Sequence, residues 1–209
     1  GRPQNGVWLE NGIIYRNGRE IMPAADIKIP GVHNIENYMA AACATEGLVS
    51  DADVDAVARS FGGVEHRIEL VRELSGVKYY NDSIASSPSR TIAGLHSFTQ
   101  KVILIAGGYD KHIPFDVLGP EVCAHVKTLV LCGATAGKIR AAVENAPEYR
   151  EGEPQILEAN NLREAVELAK HAAEAGDVVT LSPACAAFDQ FKNFAVRGKT
   201  FKEIVNSLT

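Results

Sequence analysis

Residues 181–201, LSPACAAFDQFKNFAVRGKTF, decide how the chain is read. Just before them, Val178-Val179-Thr180-Leu181 is a short apolar run with the signature of a buried strand. Ser182-Pro183 then turns the chain into small residues. Phe188, Phe191, Phe194 and Phe201 recur at three- and seven-residue steps. That spacing predicts a helix over 188–207 with its aromatics along one face. A tight turn between strand and helix leaves backbone N–H groups available to hold an anion. Tight packing alone also selects small residues at such a junction.

Upstream, strand and helix alternate. Strands are expected at 102–106, 129–132, 155–157 and 178–181, with helices at 87–97, 115–125, 136–144 and 162–175. A hairpin over 68–74 and 77–80, turning at Ser75-Gly76, opens the series. Short apolar strands between amphipathic helices predict an α/β fold with a mostly parallel, doubly wound sheet. Ligands in that architecture sit beyond the carboxyl ends of the strands. Three polar clusters fall at such ends: 81–87, 107–111 and 182–188.

Residues 1–63 follow another pattern. Val7-Trp8-Leu9, Gly12-Ile13-Ile14-Tyr15 and Asp26-Ile27-Lys28-Ile29 are β-rich, and Asn11-Gly12 and Asn17-Gly18 between them are hairpin signals. A helix over 34–47 should turn Ile35, Met39, Ala42 and Cys43 inward. A second should start at Ser50-Asp51 and carry Val54, Val57 and Ala58. Phe61-Gly62-Gly63 marks a boundary, because paired glycines release the backbone. Two domains follow, 1–63 and 64–209. The first has few large apolar side chains and reads as the tail of a domain that begins elsewhere.

With 209 residues, 46% of them hydrophobic and 22% charged, the chain can build a sizeable core. Its net charge of −5, with Lys and Arg scattered, argues against a nucleic-acid or anionic-membrane surface. No apolar run approaches the roughly 20 residues of a membrane span, and no leader is expected. Cys43, Cys123, Cys132 and Cys185 show no CxxC spacing. They are expected to be buried, reduced thiols of a cytoplasmic protein rather than zinc or redox ligands.

Several residues could bear chemistry. Asn81-Asp82-Ser83-Ile84-Ala85-Ser86-Ser87-Pro88 offers hydroxyls and N–H groups to a carboxylate or phosphate, and Asp82 suits a ribose or a metal-bound water. An N-cap cluster with Pro88 in the first turn explains the same residues. Gly107-Gly108-Tyr109-Asp110-Lys111 offers close backbone approach and a point charge, or is a polar loop with a solvated lysine. Gly133-Ala134-Thr135-Ala136-Gly137-Lys138-Ile139 has three residues between its glycines where a Walker loop needs four, and Ile139 follows the lysine. These 209 residues therefore hold no complete P-loop ATPase. Arg67, beside His66 at the boundary, could reach a phosphate or be a surface cation. Asn34 and Asn37 could contact a base or sugar, and N-capping explains Asn34 equally well. His96, His125 and His171 have no partners at ligand spacing and read as structural or exposed.

Taken together, these segments resemble the Mur ligases of peptidoglycan synthesis. The matching residues are Gly31-Val32-His33-Asn34 with Asn37, Glu65-His66-Arg67, Asn81-Asp82-Ser83, and Gly107-Gly108 with Lys111. Ser182-Pro183-Ala184-Cys185 follows, running into Asp189-Gln190-Phe191-Lys192-Asn193-Phe194 and Arg197-Gly198. The last block resembles the D-glutamate-adding branch. The resemblance implies that 1–63 ends the family's central ATP-binding domain and that 64–209 is its Rossmann-like, amino-acid-binding C-terminal domain. It also implies that the UDP-binding domain, the Walker loop and a carbamylated lysine lie outside these residues, so that the piece is inactive alone.

The implied reaction is ATP-dependent amide formation between D-glutamate and UDP-N-acetylmuramoyl-L-alanine, through an acyl phosphate, with Mg2+, in a cytoplasmic monomer. The implied roles put Asn34 and Asn37 on the nucleotide, Asp82 on its ribose and Arg67 on its phosphates, across a hinge. Lys111 and Ser86 hold one carboxylate of D-glutamate. The Ala187–Phe188 turn and the Phe194 backbone hold the other. Arg67 and Lys111 are the implied catalytic residues, and no metal ligand is assigned. Two positions depart from the pattern: Ile84 stands where many members have Lys, and Ala187 where Ser is usual. A non-catalytic nucleotide- or anion-binding module, or a ligase for another amino acid, remains as an alternative.

Overall fold

The computed structural model describes residues 5–29 and 31–209. The chain divides into two compact units, Gly1–Gly63 and Val64–Thr209.

In the first unit, β1 (Val7–Glu10), β2 (Ile13–Arg16) and β3 (Arg19–Pro23) form an antiparallel meander. Both hairpins turn on Asn-Gly pairs at positive φ: 49° and 78° at Asn11-Gly12, 50° and 81° at Asn17-Gly18. That is the primed turn whose twist matches the strands. The third strand lies at 19–23, not at 26–29 as the composition suggests, because a two-residue turn returns the chain at once. Ala24–Asp26 instead forms a 3-10 turn, and Ile27 drops into a small core with Ile14, Met22, Ala24 and Ala58.

Helix α1 (Val32–Ala44) begins earlier and ends earlier than expected. Ala42 is buried, with Ile35 and Met39 against the core, but Cys43 is exposed. One residue on from Ala42 is about 100° around a helix, which turns Cys43 outward. Helix α2 (Asp51–Ser60) starts on a reciprocal Ser50–Asp53 capping box. It buries Ala58 and leaves Val57 exposed. The buried Arg16 guanidinium donates to Asp51 and to the carbonyls of Ala42 and Val49, tying the meander to both helices.

In the second unit, β4 (Glu69–Leu74), β5 (Val77–Asn81), β6 (Val102–Ala106), β7 (Val126–Cys132), β8 (Gln155–Ala159) and β9 (Val178–Leu181) form one sheet in the order β4-β5-β9-β6-β7-β8. The β4–β5 pair is antiparallel and the other pairs are parallel. Helices α3 (Pro88–Leu95), α4 (Leu118–His125), α5 (Ala136–Glu144), α6 (Leu162–Ala172) and α7 (Phe194–Ser207) cover it. Alternation along the strands divides the core. Ile103, Ile105 and Val130 pack with Val166 and Phe201, while Leu104, Leu129 and Leu131 pack with Leu118 and Ile139. The central strands are apolar on both faces for that reason.

β9 comes last in the chain but lies between β5 and β6. The chain leaves β6 toward one face and β9 toward the other, so a crevice opens beyond their carboxyl ends. The helix after β9 begins at Phe194 rather than at 188. Asn193 caps it, its side-chain oxygen accepting from Val196 N at 2.9 Å. Phe188 and Phe191 lie in the preceding loop, and of the four phenylalanines Phe201 alone is fully buried. The three-residue aromatic spacing therefore marks a loop and a cap, not a helical stripe. No described helix is long and apolar enough to cross a membrane.

Candidate functional site

The loops leaving β5, β6, β7 and β9 are tied to one another at the sheet's carboxyl edge. Gly107 N donates to Pro183 O at 2.9 Å, and Tyr109 N to Ala186 O at 2.9 Å. Thr135 Oγ1 accepts from Gly108 N at 3.0 Å, and Thr135 N donates to Gly108 O at 3.1 Å. Asp189 accepts from Ala134 N at 3.2 Å. Ser83 Oγ donates to Phe194 O at 2.8 Å, joining the β5 loop to the start of α7.

The clasp is Arg197, on the first turn of α7 and 4% exposed. Its Nε donates to Ser83 Oγ at 3.0 Å, Nη1 to Ala186 O at 3.1 Å, and Nη2 to Ser83 O at 2.9 Å and Cys185 O at 3.0 Å. Burial pulls its pKa down to about 10, with Cys185 and Asp189 pulling the other way, so it stays charged at neutral pH. Burial also pushes the Cys132 and Cys185 thiols up to about 11, which keeps both protonated and removes them as nucleophiles.

Asp82, 4% exposed, follows β5 directly. Its Oδ2 accepts from Ser182 Oγ at 2.7 Å and its Oδ1 from Ile68 N at 3.3 Å. Burial raises its pKa to about 6, against the pull of those two hydrogen bonds and of the Arg67 and Arg90 charges. Behind it, a Cβ on Gly94 of α3 would lie 2.9 Å from Asp82 Oδ2. Neighbouring Asn81 donates to His66 Nδ1 at 2.9 Å and to Glu69 Oε2 at 3.1 Å. His66 therefore accepts at Nδ1 and carries its proton on Nε2.

Arg67 is exposed, beside Asp82, between His66 at φ 67° and Ile68 at φ 46°. Left-handed backbone at a β-branched residue is strained, so the fold holds this short segment against its local preference. Ser86 is half-buried, and Lys111 is exposed without a carboxylate partner among the described residues. The adjacent Asp110 is taken by Lys138 and by His112 N. Ala187 is buried in a turn whose carbonyl accepts from Gln190 N and Phe191 N. Phe188 is 63% exposed with its ring edge-on to Tyr109, centroids 5.8 Å apart. Asn34 and Asn37 lie on α1 in the first unit, Asn37 Nδ2 3.4 Å from Asn34 Oδ1.

The loops bearing Asp82, Lys111, Ala187 and Phe194 are thus gathered at one edge of the second unit. Among the described residues no hydrogen bond joins Lys111, Ser86 and Ala187 to one another. The glycine pair has a different use from the expected one. A Cβ on Gly107 would lie 2.0 Å from Cys132 O, and one on Gly108 2.4 Å from Ala186 O, so the close approach is to the protein's own backbone. Sequence reading assigned no role to Arg197, Ser83 or Ser182. Arg197 was traceable, since it shares the inward face of α7 with Phe201 and Ile204, where a cation requires buried acceptors.

A sequence profile described as "Mur ligase, glutamate ligase domain" matches residues 66–185, more than half of the chain. The UDP-N-acetylmuramoylalanine--D-glutamate ligase of Clostridium beijerinckii is 53% identical over 98% of this chain and 44% of its own length. The chain thus spans less than half the length of that relative. Among solved structures, UDP-N-acetylmuramate-alanine ligase from Thermotoga maritima superposes with a TM-score of 0.66 at 15% identity, covering 93% of this chain and 42% of its own. Folylpolyglutamate synthase from Mycobacterium tuberculosis, complexed with ADP, gives 0.62 at 15% identity, covering 95% and 46%. At that identity the two structures speak to the fold alone.

Proposed function

This chain belongs to the Mur ligase family, and on that premise we propose that it is part of an ATP-dependent ligase adding D-glutamate to UDP-N-acetylmuramoyl-L-alanine in peptidoglycan precursor synthesis. Residues 64–209 are the amino-acid-binding domain, and residues 1–63 are the end of the ATP-binding domain. Lys111 supports this reading most directly: a cation beyond β6 with no partner among the described residues, in a loop that the Tyr109–Ala186 bridge brings to the Ala187–Phe188 turn. Lys111 and the Ser86 hydroxyl hold one carboxylate of D-glutamate. The N–H groups of Ala187, Phe188 and Phe194 hold the other, the distal side-chain carboxylate. Two carboxylates of one ligand need two such anion sites.

In the reaction, ATP phosphorylates the alanyl carboxylate. The D-glutamate amine attacks the acyl phosphate, a tetrahedral intermediate expels phosphate, and the amine loses its proton to form the amide. The protein mainly positions the reactants and neutralises charge. Arg67 neutralises the phosphates, Asp82 accepts from the ribose hydroxyls, and Asn34 and Asn37 contact the nucleotide. When bound, Mg2+ would supply further neutralisation of the phosphate charge beside Arg67. Among the described residues no group of three ligating side chains gathers in the loops after β5, β6, β7 and β9, and the part proposed for this chain is to bind the anions around the ion. Arg197 keeps the glutamate loops in register. Four unpaired cysteines suit a reducing cytoplasm, where we place the enzyme as a monomer.

The full-length enzyme, assayed with D-glutamate, L-lysine and D-alanyl-D-alanine, tests the substrate directly. D-glutamate should be the amino acid joined, and activity with another alone would refute the reading. For this chain, calorimetry should detect weak D-glutamate binding that is lost in Lys111→Ala.

A further inference from the structure

We propose that His96, Glu121 and His125 form a binding site for a borderline transition-metal dication, of which Zn2+ is the probe. The sequence offers His96 no spaced partner and His125 only Glu121, four residues earlier, but the fold brings the three together. His96 is the C-cap of α3, while Glu121 and His125 lie one turn apart on the same face of α4. The two helices pack against each other. Glu121 Oε2 is 2.7 Å from His96 Nε2 and 3.5 Å from His125 Nε2. One ligand atom from each residue lies within 4.8 Å of the other two, and the imidazole centroids are 4.8 Å apart.

Zinc at about 2.0–2.1 Å from each ligand sets tetrahedral N and O atoms about 3.3 Å apart. Two of the three edges bracket that spacing already. Small side-chain rotations close the third, because all three groups have solvent on one side: His96 is 51%, His125 35% and Glu121 32% exposed. Two imidazoles and one carboxylate match zinc-like cations, whereas Mg2+ and Ca2+ take oxygen ligands. A fourth position stays open to water.

The other cluster of ligating side chains, Glu65, His66 and Glu69, makes a useful contrast. Lys202 Nζ already lies 3.0 Å from Glu65 and 2.5 Å from Glu69, and His66 Nδ1 is taken by Asn81. A lysine ammonium is built into that cluster, whereas among the described residues Glu121 pairs with its two histidines and with no Lys or Arg. Metal at the α3–α4 site would fix the helix whose Thr91 and Gly94 back Ser182 and Asp82.

The test is calorimetric titration of Zn2+ into the 209-residue chain carrying Cys43→Ser, which removes the exposed thiol. One equivalent should bind with a Kd of about a micromolar. His96→Ala and His125→Ala should each weaken binding by about tenfold or more, and Glu121→Gln by about tenfold. Zn2+ should also raise the melting temperature of the parent and not that of the histidine variants. Co2+ should give visible absorption bands in the parent alone. Melting without metal shows that the exposed substitutions leave the fold intact. A double His96→Ala, His125→Ala variant that binds Zn2+ within threefold of the parent would overturn the proposal.

Discussion

Ser182 Oγ donates to Asp82 Oδ2 at 2.7 Å, and the two residues directly follow the paired strand ends Leu181 and Asn81. The bond holds the carboxyl in place but does not offset its burial, which raises the Asp82 pKa to about 6. Between about pH 4 and 6 the folded chain holds a proton that the unfolded chain has released. The stability due to this group is present below pH 4 and lost as pH rises through 6. A shift of that size is worth about 3 kcal/mol. Asp82→Asn lacks the proton, so it should gain on the parent between pH 4 and 8 in urea unfolding, by up to that amount. Carbon-detected titration of the Asp82 carboxyl should give a midpoint near 6. A midpoint below 4 would remove the basis for the argument.

Arg197 should matter to stability more than any exposed cation in the chain. Arg197→Met leaves the carbonyls of Ser83, Cys185 and Ala186 without their donor in a dry site, at about 1–3 kcal/mol for each group left unsatisfied. Relaxation recovers part of that, and a net loss of about 2–4 kcal/mol is expected. Arg197→Lys should recover only part of it, since one ammonium cannot span acceptors on both loops. Urea unfolding at pH 7 measures both variants. A loss below about 0.5 kcal/mol in Arg197→Met, within the range of ordinary surface changes, would show that the loops hold together without it.

The doubly wound sheet was legible because periodicity is local. β6, β9 and α5 fall at the residues their apolar patterns indicate, and all three primed hairpins fall at Asn-Gly or Ser-Gly pairs. The start of α7 was misread for an equally local reason. Aromatics at 188, 191 and 194 imitate a helical face, while Asn193, the actual cap, gives a weaker signal in sequence. The order of the strands, with β9 inserted between β5 and β6, is not local at all. It decides that Ser182 meets Asp82 and that Arg197 meets Ser83. Contacts across a hundred residues leave no spacing to read. The same holds for His96, which meets Glu121 and His125 only when α3 and α4 pack.

The glycines of the second unit separate into those that packing requires and those it does not. Gly107→Ala places a methyl 2.0 Å from Cys132 O at φ 112°, and Gly198→Ala places one 2.3 Å from His66 Nδ1. The first contact is with backbone and cannot yield without opening the sheet edge. The second forces a buried ring off Asn81. Losses of about 1–3 kcal/mol are expected for Gly198→Ala, and more for Gly107→Ala. Gly137, in the first turn of α5, has nothing within 4 Å of a built Cβ. Gly137→Ala should be neutral or stabilising by up to about 1 kcal/mol. Thermal melting of the three variants gives the order, and a Gly137→Ala loss as large as that of Gly198→Ala would contradict it.

Ala187 bears on the proposed glutamate site most sharply. The family resemblance implies Ser at this position, and a hydroxyl there would add a donor to a carboxylate that otherwise depends on backbone N–H groups. Ala187 is buried, and the N–H groups of Ala187 and Phe188 meet no protein acceptor among the described residues. A bond to a charged acceptor contributes about 1.5–3 kcal/mol when well aligned. Ala187→Ser should therefore tighten D-glutamate binding by about tenfold or more. The same substitution combined with Lys111→Ala should not restore the loss from Lys111→Ala, because the two residues hold different carboxylates. Calorimetry with D-glutamate and with γ-aminobutyrate, which lacks the α-carboxylate, separates the two ends. The Ala187→Ser gain should appear with both ligands, because both retain the distal carboxylate that this turn holds in the proposal. A gain confined to D-glutamate would place the turn on the α-carboxylate instead and exchange the two assignments.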